Sequence, residues 1–396
     1  MHQMESIVQF SQQETGISAG TFLEKDRTNI HAAEIQHYVP SPLSEEEPET
    51  IEKLQTGYML SDLSNIDKRH ASPFELAAHI LHALSAILSL AGTIVFCLWP
   101  LTLPLMLFYI FWILKSNDGC SGNLWRRSEN VRRSRILRAF ASYFPCKLRR
   151  TTLLSPRRKY IFAYHPHGII CHGAFAAFAT EALGFSKLFP GITNALLTLD
   201  TNFKVPFYRE YILSTGLGGV SRSSCRRLLS SGGHDGNGAG RAITIAVGGA
   251  RESLLAKPGT MRIIIRGRKG FVKLAVEQGA DLVPVLGFGE NDLYDQVEAD
   301  HYPSIKRLQS ILKQSLGWTL PIFYGRSILG GGRGFLPYQK PVNVVVGEPV
   351  NVVRQEEPDP EYVDHVHQVY MDELRRLWDK WKDIYAKDRK GELEFL

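Results

Sequence analysis

The chain has 396 residues, of which 44% are hydrophobic, and carries a formal net charge of +6. A chain of this length can bury at least one large core and is expected to divide into two or three units. Its five cysteines are odd in number and include no Cys-x-x-Cys pair, which excludes a disulfide-dense scaffold and indicates reduced thiols.

Residues 1–70 form the first predicted unit. They are polar, contain the acidic run Glu45–Glu47 and show neither a sustained helical period nor a strand period. We therefore expect a disordered cytosolic arm that is dispensable for chemistry.

A membrane-embedded segment is predicted next, over residues 71–115. The 39 residues from Leu76 to Leu114 contain no Asp, Glu, Lys or Arg, a run longer than a soluble core helix needs. As one helix it would be about 58 Å long, roughly twice the hydrocarbon core of a bilayer. Two short legs of a transmembrane or re-entrant helical hairpin fit better, with Gly92, Pro100 and Pro104 as places to bend. One kinked span is the alternative.

Basic residues are concentrated directly after this segment. The stretch 115–159 contains thirteen Lys or Arg and only two acidic residues. Several of the arginines lie close together in the sequence: Arg126, Arg127, Arg132, Arg133 and Arg135. The positive-inside rule places this stretch in the cytosol. It suits anionic membrane lipids or the phosphates of a soluble ligand, and nucleic acid is not an expected partner.

Residues 116–396 are predicted to form one cytosolic-facing α/β domain. Short apolar runs typical of buried strands alternate with helical patterns. The predicted strands are 160–164, 242–247, 261–265, 282–286 and 342–346, and the helices between them include 271–278 and 304–316. This alternation indicates a mixed, mostly parallel sheet with helices on both faces.

An apolar stripe at three- and four-residue spacing predicts a long helix near residue 370. The stripe consists of Tyr362, Val366, Val369, Leu377, Trp378, Trp381 and Ile384. We expect it to dock on the domain, with a membrane-surface role as the alternative.

The motif His165-Pro166-His167-Gly168 follows directly on the apolar run 160–164. It presents imidazole at the end of a predicted buried strand. Proline fixes one backbone angle between the histidines, and glycine permits a sharp turn and the close approach of a ligand. Alone, such a pair is more typical of a hydrogen-bonded strand-to-turn junction. The features that follow favour a reaction site.

The histidines allow several kinds of chemistry. His165, His167 and His172 form an H-x-H-x4-H pattern, but no nearby Cys, Asp or Glu completes a zinc site, so no metal is expected. A serine nucleophile is disfavoured because the chain has no G-x-S-x-G motif, and Cys171 as nucleophile rests only on its neighbour His172. General-base catalysis needs one histidine, a carboxylate that holds its tautomer and donors for an oxyanion.

A suitable carboxylate follows the predicted strand 242–247, in a Gly-Gly-Ala-Arg-Glu-Ser sequence. Because parallel strands end at the same edge of a sheet, this strand and strand 160–164 can bring Glu252 and His167 into one crevice. Glycines at these turns leave backbone N–H groups accessible to an oxyanion. The predicted turn and oxyanion positions are Gly168, Gly248 and Gly249.

A basic turn opens the predicted helix 271–278. Arg268, Lys269 and Lys273 add positive charges to the free N–H groups at the helix N-terminus, which suits a polyphosphate such as coenzyme A. A solvated basic turn is the alternative. The glycine-rich tract 232–240 lacks the Lys-Ser/Thr of a P-loop and is interpreted as a flexible surface loop.

With these motifs assembled, the chain closely resembles the type 2 diacylglycerol acyltransferase family, which includes monoacylglycerol and wax-alcohol acyltransferases. The resemblance runs from about residue 75 to about residue 385. It rests on several motifs together: Tyr143-Phe144-Pro145, His165-Pro166-His167-Gly168, the segment 248–252, Arg268-Lys269-Gly270-Phe271, Val283-Pro284 and Phe288-Gly289-Glu290-Asn291. It implies a glycerolipid-acyltransferase-like fold and an integral enzyme of the endoplasmic reticulum membrane and the lipid droplet surface. It also implies that His167 is catalytic, with His165 and Glu252 in the same site.

The implied reaction moves an acyl group from acyl-CoA to diacylglycerol. We expect His167 to take the proton of the acceptor hydroxyl, while Glu252 orients the imidazole and stabilises its cation. No cofactor is expected beyond acyl-CoA as co-substrate. The expected partners are acyl-CoA, diacylglycerol and membrane lipids, and a homo-oligomer is left open. Monoacylglycerol or a long-chain alcohol are alternative acceptors, and a lipid hydrolase or a non-enzymatic lipid-binding protein are more remote alternatives.

Overall fold

The computed structural model of the protein describes residues 71–296, 307, 322–327 and 332–396. The arm predicted over residues 1–70 lies outside these ranges. Nearly all of the helix predicted over residues 304–316 lies outside them as well.

Capping residues mark where several helices begin. Before the first described helix, the Ser72 hydroxyl accepts a hydrogen bond from the Glu75 N–H, while the Glu75 carboxylate accepts one from the Ser72 N–H. Before the last helix, the Asp359 carboxylate accepts the Tyr362 N–H. The helices of the described residues are α1 (Pro73–Ala83), α2 (Ser85–Leu98), α3 (Leu103–Lys115), α4 (Glu129–Arg132), α5 (Arg135–Tyr143), α6 (His172–Ala174, continued by a π-helical turn Phe175–Ala179), α7 (Phe185–Leu188), α8 (Tyr208–Ser214), α9 (Arg222–Ser230), α10 (Gly270–Gln278) and α11 (Pro360–Tyr385).

The largest sheet has seven strands in the order β1-β11-β7-β2-β5-β3-β4. The strands of the described residues are β1 (Lys147–Arg150), β2 (Lys159–His165), β3 (Thr193–Thr198), β4 (Gly218–Gly219), β5 (Arg241–Ala246), β6 (Arg262–Ile263), β7 (Ala280–Phe288), β8 (Asp295–Gln296), β9 (Phe323–Arg326), β10 (Arg333–Gly334), β11 (Asn343–Val346) and β12 (Glu394–Phe395). β7, β2, β5, β3 and β4 run parallel to one another, whereas β11 is antiparallel to β7 and pairs with β1 in parallel. The sheet is therefore mixed and mostly parallel, as predicted.

The predicted strands agree with the structure except at residues 261–265. There only Arg262–Ile263 forms a strand, and it pairs with β12 outside the large sheet. The N–H of Ile264 is not available to the large sheet because it donates to the Glu252 carboxylate, whereas the N–H of Ile265 donates to the carbonyl of Leu396. The strand β3, which the sequence analysis did not predict, lies between β5 and β4.

Apolar side chains cover both faces of the sheet. Along β2, Tyr160 and Phe162 pack into one buried cluster with residues of α5, whereas Ile161 packs into a second cluster with residues of α9, α10 and α11. Trp378 of α11 is 2% exposed in this second cluster. The predicted docking of the apolar stripe is therefore confirmed.

The helices α1 to α3 occupy the segment that was predicted to enter a membrane. α2 and α3 contact each other and are joined by residues 99–102, which include Pro100. Many of their apolar side chains are exposed, among them Leu98, Leu105 and Phe108 at 77%, 71% and 73%. No described helix is by itself long and apolar enough to cross a membrane. α1 and α2, with a bend of 65° between them, pass that test of length and composition only as a pair.

Candidate active site

Three neighbouring strands deliver three loops to one edge of the sheet. β2 lies between β5 and β7, and the three are parallel, so their carboxyl ends share an edge. β2 ends at His165. β5 leads into the 3-10 helix Gly249–Leu255, and β7 leads into the 3-10 helix Glu290–Leu293. The loops after β2 and β5 thus meet, as the parallel arrangement predicted.

Glu252 holds the backbone of the histidine motif. Its side chain is 1% exposed, and its Oε1 accepts the His167 N–H at 2.6 Å while Oε2 accepts the Ile264 N–H at 2.8 Å. The structure therefore brings Glu252 to His167, but to the backbone N–H instead of the predicted imidazole ring. Both oxygens are therefore occupied by backbone N–H groups, one in the loop after β2 and one directly after β6. Burial raises the pKa of Glu252 to about 7, against the opposing effect of the two N–H donors.

The imidazole of His167 has one engaged and one unengaged nitrogen. Nδ1 lies 3.1 Å from the carbonyl oxygen of Gly168. Because a carbonyl oxygen can only accept, Nδ1 carries the proton and Nε2 keeps its lone pair. Nε2 makes no hydrogen bond to any described residue. Burial lowers the pKa of His167, so the ring is neutral at neutral pH and can accept a proton at Nε2.

His165 is fully buried and held by α11. Its Nε2 lies 3.1 Å from the hydroxyl of Tyr370, which in turn donates to the carbonyl of Ala163 at 3.2 Å. The hydroxyl therefore accepts from His165, and burial lowers the pKa of His165 to about 3. His165 is a neutral, buried residue two positions before His167 in the motif. Tyr370 was not predicted as a site residue, although its place four residues after Val366 on the apolar stripe was a signal.

Glu290 is a second buried carboxylate that the sequence analysis gave no role. It is 1% exposed and accepts three hydrogen bonds of 2.8 Å, from the Tyr164 hydroxyl and from the N–H groups of His172 and Gly173. Burial raises its pKa to about 7. Its position directly after β7, a strand next to β2, was the signal that could have identified it.

His172 and Cys171 each form a hydrogen bond that does not involve the His167 imidazole. His172 Nε2 lies 3.2 Å from the Tyr294 hydroxyl. The thiol of Cys171 donates to the carbonyl of His167 at 3.0 Å, and burial together with two nearby carboxylates raises its pKa well above the usual range. A thiol with a raised pKa is a poor nucleophile, which favours imidazole as the reactive group. Within the described residues, no three His, Cys, Asp or Glu are grouped to hold a metal ion.

Of the predicted oxyanion glycines, Gly168 lies against Glu290 and Gly248 against Glu252, whereas a Cβ added to Gly249 would meet no atom within 4 Å. Gly168 and Gly249 have positive φ angles of 60° and 61°, which favour glycine. A Cβ added to Gly248 would lie 1.9 Å from Oε2 of Glu252, so the backbone there passes directly over the carboxylate. The N–H of Gly168 donates to no other described residue.

The basic turn lies next to the Glu252 segment. The guanidinium of Arg268 donates to the carbonyl of Gly248 at 3.1 Å, and burial and the neighbouring Arg251 lower its pKa. Lys269 lies immediately before α10 and forms an ion pair of 2.6 Å with Asp364 of α11. Lys273 lies in the first turn of α10. Of the predicted phosphate ligands, Arg268 is therefore at the site, and the exposed Arg251 joins it.

Some arginines of the basic stretch 115–159 form ion pairs with acidic residues of the same chain. Ion pairs hold three of its arginines: Arg126 with Asp118, Arg127 with Glu129 and Arg132 with Glu181. Arg132 is fully buried, whereas Arg133 and Arg135 are exposed. The exposed arginines are therefore the part of this stretch that can meet lipid head groups.

Comparisons with known proteins show the family to which the chain is similar. Residues 94–396 match the family model described as "Diacylglycerol acyltransferase". The chain is 43% identical over 293 residues to "Diacylglycerol O-acyltransferase 2A" of Umbelopsis ramanniana, covering 74% of this chain and 81% of the relative. It is 42% identical over 286 residues to "Diacylglycerol O-acyltransferase 2" of Danio rerio, covering 72% and 78%. It is also 41% identical over 318 residues to "2-acylglycerol O-acyltransferase 1" of Bos taurus, covering 78% and 92%.

No solved structure matches the chain. The matches in sequence, together with the α/β fold, define the protein as an acyltransferase. The chain belongs to the diacylglycerol acyltransferase family.

Proposed function

We propose that the protein transfers an acyl group from acyl-CoA to the free hydroxyl of diacylglycerol, forming triacylglycerol and coenzyme A, with His167 as general base. The proposal rests on the tautomer and the hydrogen bonds of His167. Its Nδ1–H is bound to the Gly168 carbonyl, its Nε2 is unprotonated and unengaged, and its backbone is fixed by Glu252. The relatives named diacylglycerol O-acyltransferase support the choice of acceptor.

The reaction requires one proton transfer in each direction. Nε2 of His167 accepts the hydroxyl proton while the oxygen attacks the thioester carbonyl carbon. The new C–O bond forms, the C–S bond breaks with its electron pair on sulfur, and the imidazolium returns the proton to the thiolate. Because thiol pKa values lie near about 8.5, the thiolate leaves far more easily than an alkoxide, so activating the hydroxyl is the harder task. Neither a covalent acyl-enzyme nor a cofactor other than the co-substrate is needed.

Two further groups support the transition state and the donor. The unengaged N–H of Gly168 is assigned to the oxyanion that develops on the thioester carbonyl. Arg268 and Arg251, with Lys269 and Lys273 beside the start of α10, are assigned to the phosphates of acyl-CoA. An anion bound there would also relieve the repulsion between the two arginines.

The acceptor and the acyl chain are lipids, so the site has to reach a bilayer. We assign residues 71–115 to a membrane-embedded helical hairpin with the catalytic domain on the cytosolic side, at the endoplasmic reticulum membrane and lipid droplets. Aromatic and basic residues in the last turns of α3 and directly after it support this assignment. The Arg126 guanidinium lies 5.5 Å from the Trp112 ring and 5.3 Å from the Trp125 ring, a combination typical of the bilayer interface.

A second acceptor is favoured by one specific comparison. The relative from Bos taurus is named for transfer to 2-acylglycerol, and it is as similar to this chain as the diacylglycerol enzymes are. Monoacylglycerol is therefore the alternative acceptor, while transfer to a long-chain alcohol rests only on the family resemblance.

Product analysis with alternative acceptors tests the proposal. Purified protein in mixed micelles receives labelled acyl-CoA with diacylglycerol, with monoacylglycerol, with a long-chain alcohol or without acceptor. We expect triacylglycerol as the main product. A preference for another acceptor would reassign the substrate, free fatty acid as the main product would indicate a hydrolase, and the absence of turnover would indicate a binding protein.

The role of His167 is tested by His167→Ala, with His234→Ala as the matched control, because His234 lies on an exposed loop. We expect His167→Ala to lower the rate by about two to four orders of magnitude, since a general base contributes that much, and His234→Ala to leave it unchanged. Retention of more than about a tenth of the rate in folded His167→Ala would show that another group is the base.

A further inference from the structure

The loop between β2 and α6 is fixed at two points. The first is the His167 N–H on the Glu252 carboxylate, and the second is the pair of N–H groups of His172 and Gly173 on the Glu290 carboxylate. The two carboxylates follow β5 and β7, the strands on either side of β2. The histidine assigned as base therefore lies on a short loop between two buried carboxylates.

We propose that Glu290 is a positioning residue for acyl transfer, which fixes the start of α6 and thereby the place of His167 beside the reacting thioester. The proposal rests on His167 as the base. Glu290 itself does not touch the reacting atoms and acts through the loop.

The carboxylate is in direct contact with this loop. A Cβ added to Gly168 would lie 2.5 Å from Cγ of Glu290, and one added to Gly173 would lie 2.6 Å from its Oε2. Backbone at two positions therefore passes against the carboxylate without room for a side chain. A displacement of Glu290 would move the loop on which His167 lies.

The chemistry at this position requires a carboxylate. The first N–H groups of a helix have no partner inside the helix, and negative charge there is favourable with the helix dipole. Glu290 gives one oxygen to the His172 N–H and the other to the Gly173 N–H and the Tyr164 hydroxyl. Glutamine has the same size but only one acceptor oxygen, and its amide group would face an N–H donor.

The test compares Glu290→Gln with Glu277→Gln in the full chain. Glu277 is also buried, at 6% exposed, but its carboxylate pairs with Arg226 at 2.8 Å on α9. We expect Glu290→Gln to lower kcat by about tenfold or more, because a misplaced catalytic group slows the chemical step, while the KM for acyl-CoA stays within about twofold. Glu277→Gln should lower the melting temperature as much or more and leave kcat per folded molecule near wild type.

Tyr164→Phe should have a kcat between those of the wild type and Glu290→Gln. It removes one hydrogen bond from Glu290 and leaves both backbone N–H contacts in place. We expect its kcat to fall less than that of Glu290→Gln.

The outcomes separate this proposal from the proposed function. Wild-type kcat in folded Glu290→Gln, or an equal kcat loss in Glu277→Gln, would overturn the positioning role even if His167→Ala is inactive. An active His167→Ala would overturn the proposed function instead. If Glu290→Gln does not fold, Glu290→Asp replaces it. This variant keeps the carboxylate but shortens the side chain by one methylene. A lower kcat would then support the positioning role, and a wild-type kcat would overturn it.

Discussion

Individual residues at this site differ in burial and in hydrogen-bond partners. His167 keeps a free Nε2 at a half-buried position, whereas His165, two residues earlier, is enclosed with its Nε2 on Tyr370. Glu252 is enclosed as well, and it satisfies backbone N–H groups instead of an imidazole. A glutamate beside a histidine in the fold is therefore not by itself the carboxylate of a catalytic dyad.

The buried carboxyl of Glu252 leads to a prediction for stability. Its folded-state pKa of about 7 lies above its ordinary value of 4.5. A carboxyl with a raised pKa contributes stability that is complete below its ordinary pKa and is lost as pH rises through the folded-state value. Glutamine does not titrate. We therefore expect the melting temperature of Glu252→Gln, relative to wild type in the same detergent, to rise as the pH increases from about 5 to about 8.

Thermal unfolding monitored by intrinsic fluorescence at several pH values measures this difference. Glu277→Gln, whose carboxylate is paired with arginines, is the control and should show no such trend. A difference between Glu252→Gln and wild type that is constant across the pH range would mean that Glu252 is already ionised in the folded protein throughout.

At the scale of elements, α10 and α11 combine a structural and a functional task. α10 packs on the sheet and begins at the basic turn, while α11 supplies Tyr370 to His165 and Asp364 to Lys269. The ion pair between Lys269 and Asp364 is largely exposed, so it contributes little to stability. Arg268, which is half-buried and bound to the Gly248 carbonyl, is more firmly placed.

Replacing Arg268 and Lys269 by Gln should therefore raise the KM for acyl-CoA, with most of the effect arising from Arg268. The neutral diacylglycerol should bind with little change. The increase should be larger at low salt, where charges are less screened. Initial rates in mixed micelles measure both constants. The control is Arg262→Gln, because Arg262 is a half-buried arginine paired with the exposed Glu394. Unchanged dependence on acyl-CoA in the folded double variant would mean that the turn is only solvated and that the donor binds elsewhere.

At the scale of the whole molecule, the sheet could be predicted from sequence better than its side-chain contacts. Period and composition identified β2, β5, β7 and β11, and the parallel arrangement was enough to predict that His167 and Glu252 meet. It could not predict which atoms meet, because that depends on the 3-10 turn that directs both Glu252 oxygens at backbone N–H groups. Glu290 and Tyr370 were missed because their partners lie more than a hundred residues away in the sequence.

The membrane assignment predicts the orientation of the whole chain. We expect residues 1–70 and 116–396 both to face the cytosol, because two short legs return the chain to its starting side and basic residues after Leu114 resist translocation. Protease added to sealed microsomes should then digest both parts, while a lumenal marker protein stays intact. Protection of residues 1–70 alone would instead establish a single span.

The contact between His165 and Tyr370 joins residues 205 positions apart. Closing such a long loop costs conformational entropy before the contact contributes any stabilisation. Contacts this remote therefore form late in folding. During synthesis, α1 to α3 leave the ribosome long before α11 does. Under the proposed membrane assignment, we therefore expect α1 to α3 to enter the bilayer while the site is still incomplete, so that the enzyme is positioned first and becomes active afterwards.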